Sequence, residues 1–234
     1  MSEWKQKRFW SDSAVVEDAG GFGIALDGHR VKTPAKAMLV LPSHEMAVAV
    51  AAEWAAQGEV VNPLTMPFTR SANSAIDKVR IQHAEVADLL ADYGDSDLLC
   101  YRADGPKELV ARQAEAWDPM LDWAASVLGV RLTVVTGIMH QPQSPEAVHL
   151  LRRRVHEMSE FQLAAFHDLV SLSGSLILGF AVTEEKAAPD AIWTLSRLDE
   201  LWQEEHWGED EEATARAAHK RAAFLHVERF FRVS

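Results

Sequence analysis

Eight carboxylates and two tryptophans crowd into sixteen residues at 198–213, LDELWQEEHWGEDEEA, with His206 close to Glu209 and Asp210. Such a stretch could hold a metal, form an acid pair, solvate a helix end or meet another protein. A metal pair needs its ligands on one helical face, and Gly208 interrupts that face between His206 and the two acids, so no metal is expected there. His149 and His156 stand seven apart without a placed carboxylate, and H-E-x-x-H does not occur. The phosphate cradle G-x-x-x-x-G-K-[ST] is absent, and GGFG at 20–23 reads as a hairpin start, since no helix follows to offer its N-terminus. SLSGSLILG at 171–179 lacks the glycine that a G-x-S-x-G elbow places two before its serine, so its small residues read as helix packing. Cys100 lies in an apolar run and reads as a buried filler rather than a nucleophile. No catalytic residue, metal or cofactor is expected.

Helix physics explains half of the acidic stretch. Glu209 to Glu212 open the last helix, with Arg216, Lys220 and Arg221 further along, the charge order that complements the helix dipole. Glu212 with Arg216 is a favourable i, i+4 pair worth roughly 0.3–0.5 kcal/mol. The other half has no such account. Glu200 and Glu204 are like charges four apart. Leu195, Leu198 and Trp202 can form a buried stripe, and Gly208 can cap the helix after Trp207 in the left-handed region. The two tryptophans are either core or an interface with a charged rim.

The elements that would position these residues change along the chain. GFGIAL at 21–26 and HRVKT at 29–33 flank Asp27-Gly28, a strong hairpin signal, and AMLVLP at 37–42 reads as a third strand. Ser43 caps an expected helix over 44–57, ended by Gly58. The two-proline stretch 62–69 is expected to be extended and to carry a soft boundary. Beyond it the spacing predicts one long helix over 70–92, with Ile76, Val79, Val86 and Leu90 near one face and Gly94 at its end. DLLCYR at 97–102 and RLTVVTG at 131–137 read as short strands flanking helical segments around 106–128. Ser144-Pro145 signals a capped helix, and Ser159 with Gln162 a capping box. Helices are expected at roughly 160–172, 174–183, 189–206 and 210–231. The fold class is α+β, with a small β-rich N-terminal domain, 1–66, and a mainly α-helical C-terminal domain, 67–234, carrying two short strands.

Composition bounds the function. A net charge of −12 argues against a nucleic-acid partner, and one cysteine excludes an internal disulfide framework. The start, MSEWKQKRFW, is basic without the apolar core of a secretory signal, and the longest apolar run, LILGFAV at 176–182, is too short to cross a bilayer. A soluble protein of a reducing compartment, acting as a monomer, is expected.

Six blocks in order resemble a known family: HRVKTP at 29–34, EWAAQ at 53–57, PLTMPFTRSANSAID at 63–77, DLLCYR at 97–102, QAEAWDPMLDWA at 113–124 and SRLDELWQEEHWGEDEEA at 196–213. The set is similar to the ATP-twelve assembly chaperones, which handle the alpha subunit of the ATP synthase catalytic sector. The resemblance implies a non-enzymatic chaperone that holds the free alpha subunit until its beta partner arrives. It nominates Trp54 and Gln57 in EWAAQ, and Glu200, Gln203 and Trp207 in the last block, as partner contacts. Glu200 leads, because an intrahelical role explains it least, whereas Trp54 reads more readily as a packing residue. Ser71 departs from the apolar side chain expected there. The mitochondrial members carry a targeting segment that does not stand here, so the resemblance points to a bacterial, cytoplasmic homologue. Two rivals remain: an enzyme whose site is assembled from dispersed Glu and His residues, or an adaptor for another client.

Overall fold

Asp27 (φ 45°) and Gly28 (φ 81°) both adopt the positive φ of a two-residue hairpin turn. The Asp27 carboxylate then fastens the turn to the preceding chain, accepting from the backbone N–H of Ser11 at 3.0 Å and of Asp12 at 2.8 Å. These backbone donors hold its carboxyl below the usual range. The computed structural model of the chain describes residues 7–234, so the first six residues of the basic start lie outside the described part. Around the turn, β1 (Ser13–Asp18) pairs antiparallel with β2 (Gly21–Leu26), which also pairs with β3 (His29–Arg30) and β4 (Val40–Leu41). β1 has no clean apolar alternation, and only its register, Ser13 opposite Leu26 to Asp18 opposite Gly21, defines it as a strand.

The sheet packs on α1 (His44–Ala55), whose N-cap Ser43 accepts from the Met46 N–H at 3.1 Å. Its Met46, Ala47, Val50 and Ala51 meet Ile24, Leu26 and Leu41 in one apolar core. Gly58 does not end this helix. The Gln57 side chain folds back to the Glu53 carbonyl at 3.0 Å and satisfies a last-turn acceptor instead.

The 62–69 stretch is not extended. Pro63–Thr65 is a 3₁₀ turn capped by Asn62, and α2 (Pro67–Ser74) starts at its proline. The helix expected over 70–92 is interrupted as well. A π-helical turn follows at Ala75–Val79, the chain turns at 80–82, and α3 (His83–Ala91) begins anew, with a 3₁₀ turn at Asp92–Asp95 beyond it. The apolar positions serve two cores: Ala75 and Ile76 join the one against α1, whereas Ala87 and Leu90 are buried in α3 on the far side of the break.

Two compact units result. One comprises Met1–His83, Ser159–Ala165 and Arg229–Ser234; the other comprises Ala84–Met158 and Phe166–Glu228. The first therefore continues past residue 66 and takes in two later segments. Phe230, fully buried, lies 5.7 Å from the Phe68 ring and 6.3 Å from Phe161, and the Ser43 hydroxyl donates to the Val233 carbonyl.

The second unit is helical: α4 (Lys107–Trp123), α5 (Pro145–His156), α7 (Leu176–Thr183), α8 (Pro189–Ser196), α9 (Leu198–Trp207) and most of α6 (Glu160–Ser173) and α10 (Glu211–Arg232). The expected caps form: Ser144 accepts from Ala147 N–H, and the Ser159 and Gln162 side chains each accept the other's N–H. DLLCYR and RLTVVTG shorten to two-residue strands, β5 (Tyr101–Arg102) and β6 (Val135–Thr136), paired in parallel. Asp97 causes the first shortening. Fully buried, it caps a 3₁₀ turn through Leu99 N–H and also accepts from the Ser175 hydroxyl and Ile177 N–H at the start of α7. Its burial pushes the carboxyl up despite these donors. Among the described residues no helix is long and apolar enough to cross a membrane. The fold is α+β.

Candidate functional site

The helix expected over 189–206 breaks at Arg197 (φ −112°, ψ 19°) into α8 and α9. The break has a tertiary cause: the Leu195 carbonyl accepts the indole N–H of buried Trp117 at 3.0 Å. α9 thereby starts afresh with Leu198 buried and Leu195 and Trp202 half-buried.

Its four carboxylates have different fates. Asp199 accepts from Gln113 Nε2 at 2.7 Å, and Gln113 Oε1 accepts from Ala103 N–H at 2.9 Å. Glu204 pairs with Arg197 at 2.8 Å in a partly buried bridge. Glu205 takes both terminal nitrogens of Arg112, which holds its carboxyl below the usual range. Arg112 also lies over the Trp202 ring at 5.8 Å, and His206 stacks on the same ring at 4.1 Å. The fourth, Glu200, is exposed and has no ion-pair or hydrogen-bond partner among the described residues. The Arg197 pairing conceivable for Glu200 goes to Glu204 instead.

Glu200 and Gln203, one helical turn apart, border a groove of about 470 Å³. Its other walls include Leu98, Ser171, Gly174 and Lys220. Gln203 is likewise exposed and unengaged among the described residues. Trp207, at the end of α9, is 78% exposed. Gly208 after it has φ 89° and ψ 163°, a positive φ on extended backbone and not the left-handed helical cap expected. The geometry offers a charged and an amide side chain on a groove rim, with a large aromatic nearby, which suits protein recognition. Among the described residues no group of three or more His, Cys, Asp or Glu could hold a metal. Cys100 is fully buried, and burial pushes its thiol up to about 12.

The EWAAQ pair resolves differently. Gln57 is 4% exposed and its amide is committed internally: it donates to the Glu53 carbonyl and Thr65 hydroxyl and accepts from Asn62 N–H. Gln57 is therefore a loop anchor whose amide hydrogens are both engaged within the chain. Trp54 is half-buried, its ring 5.2 Å from Trp10, and its carbonyl accepts the Trp10 indole N–H at 3.3 Å. Glu53, not singled out from sequence, accepts from Phe68 N–H, Thr69 N–H and the Thr69 hydroxyl, and so caps α2. Its burial pushes the carboxyl up against those donors. Glu53 lies in the last turn of α1 and Gln57 just past its end, and the side chains of both reach the PLTMPFT block. The other blocks also tie one another together, as Arg102 shows by donating to Leu99, pairing with Asp118 at 2.8 Å and lying 5.3 Å over Trp117.

The sequence model described as ATP12 chaperone protein matches residues 7–125. The chain belongs to the ATP12 chaperone family. A crystal structure of Atp12 from Paracoccus denitrificans is 48% identical, with 99% of each chain covered and a TM-score of 0.95. An Asp-to-Lys mutant of P. denitrificans Atp12p is 47% identical over 99% of each chain, with a TM-score of 0.96. The mitochondrial protein atp12 of Schizosaccharomyces pombe is 27% identical, covering 88% of this chain and 75% of that one. The matched residues 7–125 contain five of the six ordered blocks, and the sixth, at 196–213, lies beyond them. The internal bonds above occupy Glu53, Gln57, Arg102, Asp199, Glu204 and Glu205, and among the described residues they leave the side chains of α9's Glu200, Gln203 and Trp207 without a hydrogen-bond or ion-pair partner.

Proposed function

We propose that the protein is a non-enzymatic assembly chaperone for ATP synthase that holds the free alpha subunit of the catalytic sector until the beta subunit replaces it. In this reading it acts in the cytoplasm as a monomer, without cofactor or nucleic acid, and meets its client through α9. The observation that supports the contact is the unused state of Glu200. Three of the four α9 carboxylates are consumed by Gln113, Arg197 and Arg112, whereas Glu200 faces solvent on a groove rim beside Gln203. Trp207 adds the exposed aromatic that interfaces favour. A free alpha subunit exposes surfaces that its ring neighbours later cover, and such surfaces aggregate. A holding chaperone answers that with contact area and charge and needs no bond-breaking chemistry.

The test is light scattering of purified alpha subunit with and without the chaperone. Suppression near equimolar ratio, lost in Glu200→Lys and retained in Glu211→Lys, is the expected result. Glu211 is an exposed residue of the first turn of α10, where it serves the helix dipole. Absence of protection by the unmodified protein would overturn the client assignment, and equal protection by Glu200→Lys would overturn the contact.

A further inference from the structure

A second concave site belongs wholly to the first unit. It encloses about 430 Å³ between the 29–36 segment and residues 61–73, and Trp54, Val61 and Met66 give it apolar walls. Lys32, Lys36 and Arg70 also line it; all three are exposed, and none of their side chains has an ion-pair or hydrogen-bond partner among the described residues. No carboxylate of the described residues lines it, in a protein whose net charge is −12. Local charge here opposes the charge of the whole.

The buried polar atoms point the same way. Three buried side-chain atoms of the described residues lack a hydrogen-bond partner: Arg30 Nε, Trp54 Nε1 and Asn73 Oδ1. All three residues line this pocket. Buried polar groups are otherwise almost always paired, and an orphan marks a missing partner. Two of these atoms are donors and one is an acceptor.

We propose that this pocket binds an extended peptide segment carrying both apolar and acidic side chains. A peptide supplies one N–H and one C=O per residue, the chemistry that answers orphaned donors and an orphaned acceptor together. Small rotations of Trp54 and Asn73, or bridging waters, bring those atoms to it. The apolar walls take aliphatic side chains, and Lys32, Lys36 and Arg70 take carboxylates. A phosphate ligand fits less well. The helix start beside the pocket, that of α2, has its Phe68 and Thr69 N–H groups already bound by the Glu53 carboxylate, which stands where a phosphate would have to lie. The inference concerns a different site from α9 and holds whichever protein the client is.

Fluorescence polarisation of a labelled ten-residue peptide alternating Glu with Val, added to the full chain, tests it. Saturable binding is expected, with a Kd that rises roughly tenfold or more in Lys32→Glu/Arg70→Glu at unchanged melting temperature. The same peptide with Lys in place of Glu should not bind, and Glu200→Lys should bind as the unmodified protein does. If the double variant melts early, Lys36→Ala and a salt titration decide, and binding insensitive to both would overturn the proposal. Equal binding of the Lys peptide, loss of binding in Glu200→Lys alone, or full displacement by inorganic phosphate or ATP would overturn it as well.

Discussion

Glu200 and Glu204 lie one turn apart on α9, and the same substitution at each should give opposite results. Glu204 forms a 2.8 Å bridge with Arg197, with side-chain exposures of 24% and 18%. A hydrogen bond between charged groups contributes about 1.5–3 kcal/mol when partly shielded. Glu204→Lys removes it and sets a second cation against Arg197, for an expected loss of about 2–3 kcal/mol. For a domain of this size, 1 kcal/mol moves Tm by about 2–4 °C, so Glu204→Lys should melt roughly 4–12 °C lower. Glu200 has no partner to lose among the described residues, and its replacement should stay within about 0.5 kcal/mol, or about 2 °C. Circular dichroism melts of the two variants read the stability, and suppression of alpha-subunit aggregation reads the contact. The contact reading requires Glu200→Lys to melt normally and protect poorly. A Glu200→Lys melt as low as that of Glu204→Lys would refute the partner accounting on α9.

The raised carboxyl of Glu53 means that the folded state keeps its proton into a range where the unfolded chain has lost it. The stability that proton contributes is complete below the ordinary glutamate value and fades as pH rises through the raised one. Comparing urea midpoints across that window, Glu53→Gln should show a flatter pH dependence than the unmodified protein, and an equally steep one would count against the assignment. Cys100, buried with a thiol near 12, should resist a disulfide reagent at neutral pH until the protein is unfolded, and rapid native labelling would contradict its burial. Gly179→Ala should cost up to about 2 kcal/mol in a denaturant titration, since an added Cβ would stand 3.0 Å from Val170 Cγ2 and 3.1 Å from Phe166 Cε2, both fully buried, and that crowding outweighs the roughly 1 kcal/mol of helix propensity gained.

What could be read from sequence was what local chemistry decides. The Asp27-Gly28 turn, the Ser43 and Ser144 caps and the Ser159–Gln162 box each depend on a few adjacent residues, and all form. Two of the misreadings share a cause: a distant side chain takes a backbone group that local rules assign elsewhere. Trp117 claims the Leu195 carbonyl and splits one expected helix into α8 and α9. Glu53 claims the N–H groups of Phe68 and Thr69 and starts α2 inside a stretch that its prolines made look extended. β1 escaped because its pairing, not its pattern, makes it a strand. Glu200 was nominated by subtraction, as the acid that helix physics explained least, and the structure gives it no partner among the described residues. Lys32, Lys36 and Arg70 were not, since no window of sequence holds them together.

The three-part make-up of the first unit bears on how the chain is born. Its core stays open until Phe230 arrives, about 150 residues after His83 and behind every residue of the second unit. At roughly 5–20 residues per second, translation imposes a wait of about 7–30 s. During that wait the face of Phe68 that Phe230 will cover is unprotected. The third of the chain that leaves the ribosome first thus belongs to the unit that is completed last.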